Sequence, residues 1–260
     1  MNKTVFITGA TSGIGQASAE LFAAHGYSLI LNGRRSDRLE ALAQTLRGQY
    51  NNNIHTLCFD VQDRAAVFNA IDSLPVEWEQ VDILINNAGL ALGREPFDEA
   101  NIDDWDTMLQ TNVHGLLYVS KALMPHLKRS AAAHIINIGS TAAKEVYENG
   151  NVYCASKSAV EAISKAMRID LLKYGIKVTA IHPGAVETEF SLVRYKGDPQ
   201  KASATYTGFT PLSATDVADT ILYCVGLPPH VCINDLVMTA TSQANSFYIF
   251  KQSSKLKTQI

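Results

Sequence analysis

Val5-Phe-Ile-Thr8-Gly9-Ala-Thr-Ser-Gly13-Ile-Gly15 is the run on which the fold turns. It starts as a short apolar strand and breaks into a glycine-rich turn. It then enters residues 13–25, whose apolar positions recur at helical spacing. Glycines let such a turn be tight and let backbone approach a ligand closely, while the helix behind it offers free N–H groups and a positive dipole end to a pyrophosphate. A glycine cluster alone also fits an ordinary strand-to-helix turn. The strand before this one and the helix after it favour nucleotide binding.

The same alternation continues through the chain. Apolar runs rich in Val, Ile and Leu lie at 4–8, 28–32, 54–59, 82–85, 133–138, 176–182 and 235–239. Periodic segments at 13–25, 36–48, 63–73, 102–130, 151–174 and 213–226 separate them. This pattern predicts an α/β fold, a parallel sheet of seven strands with helices on both faces. No repeat or Pro/Gly-rich linker divides residues 1–260, so one domain is expected. Residues 189–211, between the sixth strand and the last long helix, read as loop and short helix, an insertion suited to a lid over a substrate.

Composition narrows the function. A net charge of -3 leaves no basic footprint for nucleic acid. No apolar run approaches the ~20 residues of a membrane helix. The start, Met1-Asn-Lys-Thr-Val, reads as a lead into a strand rather than a signal peptide. Cys58, Cys154, Cys224 and Cys232 are scattered without C-x-x-C spacing, which predicts reduced thiols, a cytoplasmic location and no metal site.

Further along, each strand end carries polar or small residues suited to a nucleotide. The second strand closes on Gly33-Arg34-Arg35. A site that prefers NAD places an acid there, on the ribose hydroxyls; two guanidinium forks suit the 2′-phosphate of NADP, a reading favoured over a helix-start charge pair with Asp37 or Glu40. Asp60-Val61 ends the third strand, where Asp60 either accepts from the adenine amino group or caps the following helix. Asn86-Asn87-Ala88-Gly89 ends the fourth with small residues that let a ring lie flat against backbone. Asn112, a poor helix former inside a helical stretch, is either a solvated polar residue or a kink that holds a water near Lys157.

The chemistry sits in Asn151-Val-Tyr153-Cys-Ala-Ser-Lys157, with Ser140 at the carboxyl end of the fifth strand. Tyr153 and Lys157 share a helix face, one turn apart. An ammonium at about 4 Å and an effective dielectric of about 20 favours the phenolate by roughly 4 kcal/mol, bringing a phenol from about 10 toward about 7. A tyrosine so tuned trades a proton at neutral pH. The Ser140 hydroxyl lies where open α/β sheets bind ligands, placed to hold a carbonyl oxygen.

Thr8-Gly9-x-x-x-Gly13-x-Gly15, Asn86-Asn87-Ala88-Gly89, Asn112, Ser140, Tyr153-x-x-x-Lys157 and Pro183-Gly184 with Thr188 together resemble the short-chain dehydrogenases/reductases, in that family's order over nearly the whole chain. The resemblance implies a Rossmann-type, doubly wound sheet and the catalytic set Asn112, Ser140, Tyr153 and Lys157. It implies NADP held by Gly9, Thr11, Ser12, Gly13, Ile14 and Gly15 of the first turn. Arg34, Arg35, Asp60 and Val61 of the next two join them, with Asn87, Ala88 and Gly89 of the fourth. Tyr153 and Lys157 hold the cofactor as well, and Pro183, Gly184, Val186 and Thr188 close over it. A homotetramer or homodimer is implied through the long helices flanking the fifth strand. Within the family, Asp82–Gly93, Ile135–Ala142, Gly150–Tyr153 and Glu189–Asp198 are similar to the NADP-dependent 3-hydroxy acid dehydrogenases of serine, allo-threonine and malonic semialdehyde. The chain departs from that group in having Lys144, Glu145 and Glu148 after Ser140, and in a loop one residue shorter after Gly184.

The expected activity is therefore an NADP(H)-dependent hydride transfer to or from a small hydroxy compound such as serine, allo-threonine or 3-hydroxypropionate. Alternatives are a ketone or 3-oxoacyl thioester reductase, or a non-catalytic NADP-sensing protein. Substrate contacts are expected from Ser140, Tyr153 and Arg194. A carboxylate leaving water needs a cation, and Arg194 in the lid-like insertion is the only arginine after Arg168. Lys144 is the competing cation.

Overall fold

The computed structural model describes residues 3–252. Its seven-stranded sheet runs in the order β3-β2-β1-β4-β5-β6-β9, with every pair parallel. The strands are β1 (Thr4–Ile7), β2 (Ser28–Gly33), β3 (Ile54–Cys58), β4 (Ile83–Asn86), β5 (His134–Ile138), β6 (Lys177–Pro183) and β9 (Asp235–Met238). All seven expected runs are strands. β1, β4 and β5 are buried along their whole length, as parallel strands covered on both faces must be.

Alternate residues of each strand feed two separate cores. Val5, Ile7, Leu29 and Leu31 pack with Phe22, Leu39 and Ile221 from α1 (Gly13–Ala24), α2 (Ser36–Tyr50) and α9 (Ala214–Gly226). Phe6, Ile30, Leu84 and Ile135 face the other way, onto Val67 of α3 (Arg64–Asp72) and Leu123 of α5 (Leu116–Leu127). Both cores follow from the two-residue period of the strands and the 3.6-residue period of the helices.

The chain winds outward from β1 to β3, then returns to place β4 on the other side of β1. Strand order reverses there, and the carboxyl ends of β1 and β4 open the crevice where such sheets bind ligands. The expected helix over 102–130 is in fact divided. α4 (Ile102–Leu109) leads through a wide π-turn, Gln110–Gly115, into α5. The helix carrying Tyr153, α6 (Asn151–Leu171), runs unbroken for 21 residues. Residues 189–211 hold two short helices, α7 (Phe190–Arg194) and α8 (Pro199–Ala204). A small parallel ladder of β7 (Val186–Glu187) and β8 (Leu212–Ser213) ties the stretch at its base. No helix among the described residues is long and apolar enough to cross a membrane. Residues 253–260 of the polar tail lie outside the described residues.

Candidate active site

A cleft of about 550 Å³ lies along the carboxyl ends of the strands. Its floor is the glycine-rich turn. Gly9 and Gly13 adopt φ of +64° and +52°, which side chains other than glycine rarely take. A Cβ on Gly15 would collide with the Gly9 carbonyl, so helix and turn can pack this closely only with glycine there. Thr8 staples the turn to β4, its Oγ1 accepting from Asn87 N at 3.0 Å and Ala88 N at 2.9 Å. Asn87 Nδ2 returns the bond to Thr8 O at 2.9 Å. Ser12 precedes α1 without a side-chain cap, and the first turn holds no acid, so the N–H groups of α1 stay open to an anion.

Every expected cofactor residue except Gly15 lines this cleft, from Gly9 through Arg34, Asp60 and Gly89 to Thr188; Gly15 stands behind it as a packing glycine. Thr188 touches the floor, since a Cβ on Gly13 would meet its side chain at 3.2 Å. The arginines are engaged rather than bare. Arg34 Nη1 lies 3.3 Å from Asp60 Oδ2, and Arg35 Nη1 3.2 Å from Glu189 Oε2, with Arg35 Nη2 donating to Thr11 Oγ1 at 3.1 Å. Arg38, which sequence reasoning passed over, reaches Glu189 Oε1 at 2.9 Å. These exposed pairs hold their partners weakly and can exchange them for a phosphate. Asp60 caps no helix: its Oδ1 accepts from Gln62 N at 3.0 Å, and Asp63 caps α3.

At the inner end, Ser140, Tyr153 and Lys157 come together. Tyr153 and Lys157 are almost wholly buried. Lys157 Nζ donates to the Ile138 carbonyl at 2.9 Å, and burial pushes its ammonium down to about 8. Tyr153 differs from expectation. Burial raises its phenol well above the ordinary value, with a smaller push the same way from Tyr147, while a hydrogen bond with Ser140 and the charge of Arg194 work against the rise. The cation that favours the phenolate here is therefore Arg194, not Lys157. Asn112 also differs. It sits in the π-turn as expected of a kink, but its amide is fully used: Oδ1 accepts from Leu90 N at 2.8 Å, and Nδ2 donates to Leu90 O at 2.8 Å and Ser156 Oγ at 3.0 Å. With the amide taken, holding a water at this residue is left to its backbone.

Beside the phenol lies a cationic corner. The guanidinium carbon of Arg194 is 5.0 Å from the centre of the Tyr153 ring and 5.6 Å from that of Tyr147. Arg194 Nη2 donates to Tyr147 Oη at 2.5 Å, while its buried Nε has no partner and no carboxylate pairs with it among the described residues. Arg94 approaches the Tyr147 ring at 5.7 Å. Phe190 of α7 meets the Tyr153 ring edge-on at 5.7 Å between centroids. Lys144, the rival cation, points elsewhere: its Nζ pairs with Asp235 and, at 3.0 Å, with Glu161.

Residues 3–197 match the family model of the short chain dehydrogenases. The chain belongs to the short-chain dehydrogenases. Among its relatives in that family, the NADP-dependent 3-hydroxy acid dehydrogenase YdfG of Salmonella typhi is 44% identical over 241 residues, 92% of this chain and 96% of that protein. Sulfoacetaldehyde reductase 2 of Chromohalobacter salexigens is 45% identical over 249 residues, 95% of this chain and 98% of that one. The closed form of a serine dehydrogenase complexed with NADP+ superposes with a TM-score of 0.88 at 42% identity, covering 96% of this chain and 100% of the other.

As a short-chain dehydrogenase, the chain keeps its family motifs in one cleft, and the residues that sequence reasoning missed lie outside those motifs. Tyr147 and Phe190 gave no signal, because a loop and a five-residue helix bring them in from positions without periodicity. Gln243 comes from beyond β9, where its buried Oε1 accepts from Ala185 N at 2.8 Å and braces the Pro183-Gly184 turn. Arg38 was within reach of reasoning: it lies in the first turn of α2, three residues after Arg35, which precedes the helix.

Proposed function

We propose that the protein is an NADP(H)-dependent oxidoreductase that interconverts a small 3-hydroxy acid and its carbonyl compound. The observation that carries this reading is Arg194, a partly buried guanidinium against the phenol, behind the residues that line the cleft, with no anion paired to it among the described residues. A buried charge without a partner is costly, so the substrate is the group that pairs with it. Its planar fork suits a carboxylate held by two parallel hydrogen bonds. NADP fits the rest of the cleft: open N–H groups on α1, glycines that leave no room for a Cβ, and the cluster of Arg34, Arg35 and Arg38.

The bound coenzyme supplies or accepts the hydride. Tyr153 gives its proton to the substrate oxygen in reduction and takes it back in oxidation. Ser140 donates a hydrogen bond to that oxygen, where charge develops in the transition state. Lys157 holds the coenzyme ribose. Asn112 keeps Leu90 in place with its amide and offers its backbone carbonyl to a water in the proton path. Arg194 and Tyr147 orient the acid group, and α7 and α8 act as the lid that keeps water out. One domain carries all of these parts. The exposed Leu117, Ile169 and Leu172, on or next to the long helices flanking β5, support assembly into a homotetramer or homodimer. We place the enzyme in the cytoplasm.

A sulfonate is the second acid class to consider. Arg94 adds a second guanidinium beside Tyr147, and a sulfoacetaldehyde reductase is among the relatives. The test is a screen of NADP+ reduction with serine, allo-threonine, 3-hydroxybutyrate, 3-hydroxypropionate, 2-hydroxyethanesulfonate and plain secondary alcohols. The expected result is turnover of at least one acid, with NADP+ used at least about tenfold more efficiently than NAD+, the value of one charge-assisted contact. Faster turnover of the uncharged alcohols than of every acid would refute the reading.

A further inference from the structure

Behind Ser140, on the side away from the cleft, lies a charged cluster that the reaction above does not use. His182, fully buried near the end of β6, turns its ring onto the Ser140 backbone. Its Nδ1 lies 3.4 Å from Ser140 N and 3.2 Å from Ser140 O. The next residue back must be glycine for this to happen, because a Cβ on Gly139 would strike the imidazole. Nε2 sits 2.7 Å from Asp235 Oδ1, with no linear hydrogen bond of its own. Register explains the meeting: Ala180 pairs with Asp235 and His182 with Val237, so His182 and Asp235 are diagonal neighbours on one face. Lys144 and Glu161 complete the cluster, and Lys165 caps it at Glu161.

We propose that His182, held by Asp235, is a positioning residue for Ser140 that exchanges one backbone partner of the serine for the other. With the ring neutral and its proton on Nε2 toward the carboxylate, Nδ1 is an acceptor and takes the Ser140 N–H. With the ring charged, Nδ1 becomes a donor and turns to the Ser140 carbonyl. The two distances differ by little, so Nδ1 sits between its two partners, which belong to the peptides on either side of the serine Cα. Shifting the ring from one to the other turns the serine backbone and moves its hydroxyl against the substrate oxygen, and misplacement by about 1 Å is worth up to about 10²-fold in rate.

The sign follows from everything that faces the ring. Burial is the largest influence and disfavours the imidazolium; Lys144, beyond Asp235, does so too, while Asp235 on β9, the Ser140 carbonyl and Glu161 on α6 favour it. The net effect lowers His182 from its ordinary value near 6.5. Lys157, the other cation at this strand end, is bonded to the Ile138 carbonyl. Asp235 is itself held below the usual carboxylate range, because Lys144 and His182 outweigh the opposing push of burial. The serine is therefore in its working position at neutral pH and leaves it as the medium becomes acidic.

This inference rests on the role proposed for Ser140, and its test has one arm that needs no turnover. In the first arm, kcat for carbonyl reduction is followed from about pH 5 to about pH 8, where Tyr153 stays protonated and contributes no acid limb. The wild type should lose kcat below the ordinary histidine value of about 6.5, with KM for NADPH unchanged. His182→Asn, which keeps a hydrogen-bonding atom near the Nδ1 position but does not titrate, should retain most of kcat at neutral pH and show no acid limb. Asp235→Asn should move the limb to lower pH, since it removes an anion that favours the imidazolium. A role in stability alone would lower activity evenly across the range and leave the limb where it was; that result, or an unaltered limb in His182→Asn, would overturn the proposal. In the second arm, the amide shift of Ser140 is followed by NMR in 15N-serine-labelled protein without cofactor. It should titrate with the His182 ring in the wild type and stand still in His182→Asn. A Ser140 amide that ignores the His182 titration would also overturn the proposal, whether or not the enzyme's substrate has been found.

Discussion

The glycine-lined end of the cleft and the corner behind its inner end, where Arg194 lies, are made of different material. At the first, Gly9, Gly13, Asn87 and Ala88 present backbone and short side chains from the ends of adjacent parallel strands and the turns after them, fixed by the sheet itself. At the second, Phe190 lines the cleft while Tyr147 and Arg194 stand behind the lining, against Tyr153, with long side chains from a loop and a short helix, and Gln243 braces the turn beside them from beyond the last strand. Backbone recognition is set by topology and tolerates no Cβ. Side-chain recognition is set by a few rotamers and can change its ligand while the sheet stays as it is. One scaffold can therefore keep a single coenzyme and serve many substrates.

Between the two stands Tyr153, and removing its hydroxyl should have the largest effect. Tyr153→Phe should lower kcat by about 10³-fold or more, the upper part of what a positioned proton donor contributes, while the Kd for NADPH, measured by fluorescence, stays within about threefold of wild type. Loss of coenzyme affinity equal to the loss of rate would mean that the phenol belongs to the glycine-lined end and that the division is wrong.

A smaller effect sharpens the glycine-lined end. With Arg35→Ala and Arg38→Ala combined, the KM for NADP should rise by about 10- to 100-fold, since a hydrogen bond to a charged group contributes about 1.5–3 kcal/mol. The KM for NAD should hardly move. Both arginines are tied to Glu189 at the foot of α7, so the double variant also frees the lid. A parallel loss of kcat/KM with both coenzymes would show that lid anchoring, not phosphate binding, is their main task.

How much of this was legible in the sequence follows the same division. The seven strands, the glycine turn and the set Ser140, Tyr153 and Lys157 were all readable, because buried parallel strands are continuous apolar runs and the motif residues stand at their ends. The π-turn at Gln110–Gly115 was visible only as a misplaced Asn112. Its amide turned out to serve Leu90 and Ser156 rather than a water, since contacts between a helix and a loop leave no period to read. Lys144 and Arg194 looked equivalent as lone cations, and nothing local showed that Asp235, some ninety residues on, neutralises one and not the other. The tyrosine's environment was misjudged for a related reason. Spacing on α6 revealed the lysine, while the burial that dominates the phenol comes from elements distant in sequence.

The most direct measurement is kcat/KM for the preferred acid beside an uncharged secondary alcohol, in wild type, Arg194→Ala and Lys144→Met. If the acid group of the substrate is the missing partner of Arg194, Arg194→Ala should lose about 10²-fold on the acid, in line with about 3 kcal/mol from a charged pair. The same variant should lose less than about threefold on the alcohol, and Lys144→Met, which acts through the cluster behind Ser140, should change both substrates by the same factor. Equal losses on acid and alcohol in Arg194→Ala would contradict this, and would make Arg194 a support for the lid rather than the group that reads the substrate's charge.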